Sequence, residues 1–245
     1  MLRTSIVIKR NSKGEAEKPF WISYADLMTA LMVLFLVVMS VALLAVTKTV
    51  SEIERQKAER EQDITKLLDA VENAATRYSG VTVDRNQNII NFGDQAYFEK
   101  GKNTLMPQQA QFLRQFVPDI LVIARSDLGK KWLKRFVVEG FASPEGDYLY
   151  NLNLSLQRSQ RVLCVLLSPP LSDQPVISQT DLEQIRDLFL VGGYSFNATK
   201  YDEALHSYDK SRRVSIRLEF LSIGESRPST GAAPPGDFGR CAFGG

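Results

Sequence analysis

The pattern of apolar and polar positions begins with a long run that carries no charge. From Leu27 to Val46 there are twenty residues without a charged side chain. As a helix rising 1.5 Å per residue, this run is about 30 Å long, which is the thickness of the hydrocarbon core of a bilayer. Helices of soluble proteins normally keep a polar face over such a length. The run therefore predicts a transmembrane helix over residues 20–47.

A cleaved secretory signal is the alternative interpretation of this run, because basic residues precede it. The apolar core of a secretory signal is usually about 7–15 residues long, and this run continues past that length. We therefore expect the helix to stay uncleaved, after a polar and basic segment over residues 1–19.

One acidic residue stands at the start of the run. Asp26 follows Phe20, Trp21 and Tyr24, and Trp and Tyr favour the headgroup level of a membrane. A carboxylate at the centre of a span costs about 2.5–3.5 kcal/mol, and less near the interface. The residues alone leave two alternatives. Asp26 is either a hydrated flank near the helix N-terminus or a functional carboxylate that faces protein or water.

The pattern then changes to a helix with many charges over residues 48–79. Its second half carries apolar residues at roughly helical spacing. These are Ile64, Leu67, Leu68, Val71 and Tyr78. Three interpretations stay open for this segment: a solvated stalk, a helix that pairs with a second copy, or a regulated plug beside the membrane.

Residues 80–222 alternate between strand and helix patterns. "VTVDRNQNIINF" predicts a hairpin, and "WLKRFVVEGFAS" and "RRVSIRLEFL" predict strands. "MPQQAQFLRQFVPDILVIA" predicts a helix from Pro107 that Pro118 kinks or ends early. "NLSLQRSQRVLCVLL" and "TDLEQIRDLFLV" predict two further helices. This order predicts an α/β sandwich with helices on one side of one mixed sheet. Residues 223–245 are rich in Gly, Pro and Ser and predict a flexible tail.

Composition limits the chemistry of the chain. A net charge of +2 without a dense Lys/Arg block does not favour nucleic-acid binding. His206 is the only histidine, which excludes a multi-histidine zinc site, and we interpret it as a surface residue. No nucleophile motif accompanies His206. We therefore predict neither an enzyme nor a bound metal or cofactor.

Three short motifs of the mixed domain resemble those of OmpA-like peptidoglycan-binding domains. "VEGFASPEG" has the glycine spacing of their G-H-T-D-x-x-G loop, "YNLNLSLQR" matches Y-N-x-x-L-S-x-x-R, and "SRRVSIRL" resembles N-R-R-V-E-I. The order and the intervals fit, and the resemblance covers residues 80–221. It implies a peptidoglycan site that contains Tyr150, Asn151, Leu154, Arg158, Ser143 and Arg213.

Three positions of this implied site depart from the pattern or have a second interpretation. Ser143 stands where the family has an aspartate, so it supplies a hydroxyl but no charge, and Glu145 is the nearest substitute. The guanidinium of Arg158 suits a ligand carboxylate, and pairing with a buried acid is the structural alternative. Arg213 lies on the last strand, where a structural role is the alternative.

An N-terminal span with one aspartate, joined to an OmpA-like domain, resembles the MotB-type stator subunits of ion-driven motors. Within that group the chain is most similar to the B subunits of Zorya anti-phage defence systems. The resemblance implies that Asp26 carries the transported H⁺ or Na⁺. It also implies a homodimer inside a pentameric ring of a polytopic MotA-like subunit, anchored to peptidoglycan and acting on cytoplasmic effectors indirectly. The implied location is the bacterial inner membrane, with a cytoplasmic N-terminus and a periplasmic C-terminal domain.

Two other functions remain as alternatives. The first is a structural tether between inner membrane and cell wall that transports no ion. The second is an energiser subunit of the flagellar or ExbD/TolR type.

The two cysteines fit the implied periplasmic location, where disulfides persist. We expect a bridge between Cys164 and Cys241, within one chain or across a dimer. The alternative is a buried cysteine on a helix and a free thiol in the tail.

Overall fold

The computed structural model describes residues 20–171, 173–204, 206–227, 238–239 and 241, with side chains from Tyr24 onward. Two compact units divide after Arg55. The basic segment predicted over residues 1–19 lies outside the described residues. In chain order the helices and strands are α1 (Phe20–Ala75), β1 (Thr82–Asp84), β2 (Ile89–Asn91), α2 (Pro107–Arg125), α3 (Asp127–Trp132), β3 (Leu133–Gly140), α4 (Tyr148–Leu167), α5 (Gln179–Leu188), β4 (Phe189–Gly193) and β5 (Val214–Phe220).

The first unit contains the apolar part of α1. Its apolar side chains are exposed on all sides of the helix, and its most apolar 18-residue window has a mean hydropathy of 2.8. The hydroxyls of Ser40, Thr47 and Thr49 donate to carbonyl oxygens of the preceding turn. Polar groups in an apolar medium have no water to bind, so they form hydrogen bonds within the helix. Within the described ranges, α1 is the one helix long and apolar enough to cross a membrane, which confirms the predicted span.

The second unit begins at Gln56 and includes the last part of α1. Leu67, Leu68 and Val71 are at most 5% exposed, and Val71 belongs to the same core cluster as the sheet residues. This burial contradicts a solvated stalk for the second half of the segment predicted as a linker. The folded unit therefore starts at residue 56 rather than at residue 80, because these side chains complete its core.

Polar contacts fix this part of α1 to the rest of the unit. The indole Nε1 of Trp132 and the Nζ of Lys131 donate to the carboxylate of Asp63 at 2.9 and 3.0 Å. These donors, the indole first, lower the pKa of Asp63. The Nε of Arg60 donates to the carbonyl oxygen of Leu221 at 2.8 Å. Residues 60–63 are thus tied to the end of α3 and to the residue after β5.

The sheet has five strands in the order β1-β2-β5-β3-β4. All neighbouring pairs are antiparallel except β3 with β4, which is parallel. Ile90, Val138 and Ile216 are fully buried and share one core with residues of α2 and α4. Successive strand residues point to opposite faces, and on the other face Glu139 pairs with Arg217 at 2.6 Å. This arrangement confirms the predicted sandwich with a mixed sheet.

Helix α2 and strand β4 differ from the sequence prediction, and α3 has no counterpart in it. Helix α2 continues through Pro118 to Arg125, because its apolar stripe is held in the core on both sides of the proline. Strand β4 begins at Phe189, inside an apolar run that the sequence pattern assigns wholly to the preceding helix. A short continuous apolar run fits a helix or a buried strand equally well, and here parallel pairing with β3 decides the outcome.

The predicted tail is held at two places. Arg227 donates to the carbonyl oxygens of Leu133 and Gly129, so this residue of the tail is tied to β3 and α3. Cys241 forms a disulfide with Cys164 of the same chain. Most of the remaining tail lies outside the described residues.

We predict that a fragment of residues 56–245 folds and that a fragment of residues 80–245 is largely unfolded. The shorter fragment lacks Leu67, Leu68 and Val71, and burial of each contributes roughly 1.5–3 kcal/mol. Their sum is comparable with the total stability of a domain, about 5–15 kcal/mol. Circular dichroism and thermal melts of both fragments measure this. Equal melting midpoints would contradict the assignment of residues 56–75 to the core.

We also predict that loss of the disulfide destabilises the second unit. The bridge joins residues 77 positions apart, and closing such a loop contributes about 4.5 kcal/mol in the chain-entropy model. For a unit of this size the loss lowers the melting midpoint by roughly 9–18 °C. Cys164→Ser, Cys241→Ser and the double variant should show the same loss under non-reducing conditions. An unchanged midpoint in all three would exclude a stabilising bridge.

Candidate functional site

Asp26 lies near the beginning of α1 in the first unit. Its side chain is exposed, and its backbone carbonyl accepts a hydrogen bond from the hydroxyl of Thr29 at 2.9 Å. No charged residue follows it before Lys48. The helix therefore presents a single carboxylate at one end of its apolar part.

The second unit places the other predicted site residues around the loop between β3 and α4. At Gly140 an added Cβ would lie 1.9 Å from the carbonyl oxygen of Ser155, so only glycine lets α4 approach the strand this closely. Gly146 has φ +93°, a left-handed conformation that favours glycine. The close approach at Gly140 and the backbone conformation at Gly146 give a physical reason for the glycine spacing seen in the sequence.

Ser143 and Glu145 contact each other within this loop. Ser143 is buried, and its hydroxyl donates to the carboxylate of Glu145. Glu145 is exposed. Its other carboxylate oxygen lies 3.7 Å from the Nζ of Lys100. The carboxylate at position 145 thus lies beside the position where the family has an aspartate.

Side chains at the start of α4 hold the loop between β3 and α4 in place. The carboxylate of Asp147 caps the helix by accepting from the backbone N–H of Tyr150 at 2.8 Å. The buried amide of Asn151 donates to the carbonyl oxygens of Glu145 and Asp147 at 2.9 and 3.1 Å. Leu154 is buried in the packing below. Of these residues, Tyr150 is half exposed and free to meet a ligand, whereas Asn151 and Leu154 hold the loop in place.

Arg158 is fully buried and binds backbone rather than an acid. Its guanidinium donates to the carbonyl oxygens of Lys102, Phe141 and Glu99 at 3.0, 2.8 and 3.2 Å, and it lies 5.2 Å from the ring centroid of Phe98. In the described part of the chain no carboxylate lies within 4 Å of it. The buried acid offered as its structural alternative is therefore wrong.

Burial, and next the positive charge of Arg212, lowers the pKa of Arg158 to about 10. The side chain is still a cation at neutral pH. Backbone carbonyls balance a full charge only in part, so the segments at 99–102 and 141 enclose a cation whose charge is not neutralised by an acid.

Sequence reasoning selected Arg213 and missed Arg212. Arg212 is 5% exposed, pairs with Asp209 at 2.7 Å and donates to the hydroxyl of Tyr97. Arg213 lies over the ring of Phe141 at 4.4 Å. Adjacent residues entering a strand point to opposite sides, and this alternation is the signal by which Arg212 could have been found.

The structure therefore brings Ser143, Tyr150, Asn151 and Arg158 together around one loop, and Arg213 lies over the ring of Phe141 in that loop. Peptidoglycan contact by these residues stays a prediction. His206 is exposed, as expected, and its ring contacts the hydroxyl of Tyr201 at 3.3 Å.

A known family model matches the N-terminal part of the chain, and a known protein matches nearly its whole length. A family model described as "Membrane MotB of proton-channel complex MotA/MotB" matches residues 8–53. The Zorya protein ZorB of Escherichia coli O139:H28 is 43% identical over 228 residues, which cover 93% of this chain and 91% of that protein.

Two solved structures are more distant. The periplasmic domain of Helicobacter pylori MotB is 15% identical with a TM-score of 0.41, covering 61% of this chain and 85% of that one. The cell wall anchor of the type VI secretion system (T6SS) from Pseudomonas aeruginosa is 16% identical with a TM-score of 0.41, covering 63% and 97%. Scores at this level add no argument about function. The identity with the full-length relative is decisive, and the chain belongs to the ZorB family.

Proposed function

We propose that this protein is the B subunit of a proton-driven rotary motor of the inner membrane, anchored to peptidoglycan and acting in anti-phage defence. Na⁺ is the alternative cation. The protein acts as a homodimer within a pentameric ring of a polytopic MotA-like subunit. Signals from this complex reach cytoplasmic effectors indirectly, without contact between this chain and nucleic acid.

The observation that carries the motor function is the single carboxylate of Asp26 at the start of an uncharged helix. An ionised carboxylate in a bilayer is costly, and protonation removes most of that cost. A carboxylate that faces a partner subunit can therefore take up a cation on one side and release it on the other. The match of residues 8–53 to the MotB family model supports the same assignment.

The anchoring function is supported by the loop between β3 and α4. Next to this loop, α4 carries the exposed aromatic side chain of Tyr150 and the buried cation of Arg158. Within the described residues Arg158 has no acid partner. The stem peptides of peptidoglycan carry carboxylates, the groups that a guanidinium binds best. Because Arg158 is covered in this structure, a ligand carboxylate reaches it when the segments at 99–102 and 141 exchange a carbonyl contact for the ligand.

Two further observations support the orientation. Five basic residues precede the span and four follow it within residues 48–60, a small excess that favours a cytoplasmic N-terminus. The disulfide between Cys164 and Cys241 fits a C-terminal unit in the oxidising periplasm.

We predict that Asp26→Asn abolishes defence without reducing the amount of protein in the membrane. Asparagine keeps the size of the side chain but does not gain or lose a proton near neutral pH, and a neutral amide inserts more easily than a carboxylate. Asp26→Glu should retain partial activity at most, since the carboxylate moves by about one methylene in a packed site. The measurement is the efficiency of phage plating beside a quantified membrane fraction and co-purification of the partner subunit.

Thr29→Val is the matched control, because Thr29 is the next polar residue of α1 and carries no charge. It should keep full defence. Full defence by the Asp26→Asn protein would refute the ion-motor function and favour a structural tether, which needs no carboxylate at this position.

We predict that Tyr150→Ala weakens retention on purified sacculi by at least about tenfold, with an unchanged melting midpoint, because Tyr150 is half exposed. Arg158→Ala should weaken retention and also destabilise the unit by about 2–4 kcal/mol, because it leaves three carbonyls unpaired. Sedimentation with sacculi and thermal melts separate the two effects.

Tyr201→Ala is the matched control, since Tyr201 is 50% exposed and lies outside this loop. Its retention should equal that of the wild type. Undiminished retention of the Tyr150→Ala protein and of a folded Arg158→Lys protein would remove both residues from the peptidoglycan site.

A further inference from the structure

A cavity lies beside the C-terminal half of α4, away from the loop between β3 and α4. Its volume is about 350 Å³, and it is enclosed by the first half of α2, the end of α4 and the segment that follows α4. Cys164 and Cys241 form part of its wall, whereas none of Ser143, Tyr150 and Arg158 lines it. Ligand pockets in proteins usually measure roughly 300–1,000 Å³, so this cavity is large enough for a small organic molecule.

Two buried arginines line this cavity. Arg114 on α2 is 3% exposed and Arg161 on α4 is 9% exposed. Burial lowers the pKa of both, but a guanidinium remains charged at neutral pH. Two largely buried cationic side chains therefore line this cavity.

The contacts of Arg114 leave its charge unbalanced. Its terminal nitrogens donate to the carbonyl oxygens of Pro175, at 3.3 Å, and of Ser168. Its Nε is buried without a hydrogen-bond partner, and no carboxylate from the described ranges lies within 4 Å of the side chain. Ser168 is the C-cap of α4, and the end of a helix carries only about half a negative charge, so its carbonyl compensates the cation in part. A buried cation without an acid is costly, and an anion in the adjacent cavity would lower that cost.

The remaining wall selects the kind of anion. It is largely apolar and includes Leu105, Pro107, Ala110, Val165 and Leu171. Inorganic phosphate is compact and strongly hydrated, and it would leave this wall uncovered. A carboxylate attached to an aliphatic body would place its charge beside the guanidiniums and its carbons against the wall.

We propose that this cavity is a binding site for a small organic carboxylate with an aliphatic body. Arg114 and Arg161 bind the carboxylate, and the surfaces of α2 and α4 cover the apolar part. This cavity shares no lining residue with the peptidoglycan site. The two are neighbours, because the Nε of Arg161 donates to the carbonyl oxygen of Asn103 at 3.2 Å, next to the carbonyl of Lys102 that accepts from Arg158.

The test uses the full chain in lipid nanodiscs and a matched pair of probes, N-acetyl-leucine and N-acetyl-leucinamide. The two differ only in the charge of one end. Saturation-transfer NMR, with empty nanodiscs as background, should give saturable binding of the carboxylate at millimolar concentration and at least about tenfold weaker binding of the amide. Inorganic phosphate should compete at least about tenfold more weakly than the carboxylate. Equal binding of the amide, or equal competition by phosphate, would overturn the proposed ligand class.

Three variants locate the binding. Arg114→Gln removes the charge, and Ala110→Met fills the cavity while both arginines remain; each should weaken N-acetyl-leucine binding at least about tenfold. Arg125→Gln is the control on the same helix, because Arg125 lies outside the cavity and pairs with Asp181. Circular dichroism checks the fold, and if Arg114→Gln unfolds, Ala110→Met decides. Absence of saturable binding to the wild type, or unchanged binding to the folded variants, would refute the site.

Discussion

The close approach of α4 to the sheet is the constraint on which the rest of the second unit depends. A Cβ at Gly140 would lie 1.9 Å from the carbonyl oxygen of Ser155, and a Cβ at Gly193 would lie 2.8 Å from the backbone nitrogen of Leu156. A glycine is therefore needed on β3 and another on β4 so that α4 can approach both strands. Because α4 lies against both strands, Arg158 is brought within hydrogen-bonding distance of Phe141, directly after β3. A larger side chain at either glycine would displace the helix and with it the candidate peptidoglycan site.

The two parts of α1 follow different rules for hiding apolar surface. Between Leu27 and Val46 apolar residues cover every side of the helix and are exposed, as a lipid environment requires. After Gln56 the apolar residues form one stripe, which the core of the second unit covers. The change in pattern marks the change from a lipid to an aqueous environment. The charged residues between Val46 and Gln56 are exposed to water.

Sequence reasoning succeeded where a side chain carries the signal. The hairpin, α2, α4 and the strands β3 and β5 follow from apolar spacing, and the glycines at 140 and 146 from the loop motif. The partners of Arg158 carry no such signal, because every residue has a carbonyl group and those of Glu99 and Lys102 are 59 and 56 positions away. The packing of residues 56–75 was likewise hidden, since an amphipathic stripe does not say which surface covers it.

The disulfide sets an order of events during biosynthesis. Both β4 and β5 lie between its two cysteines, and β5 is the strand that joins β2 to β3. Cys241 leaves the ribosome only after every strand of the sheet has been synthesised. The bridge therefore cannot form before all five strands have been synthesised, and in the folded unit it closes a loop that contains β4 and β5.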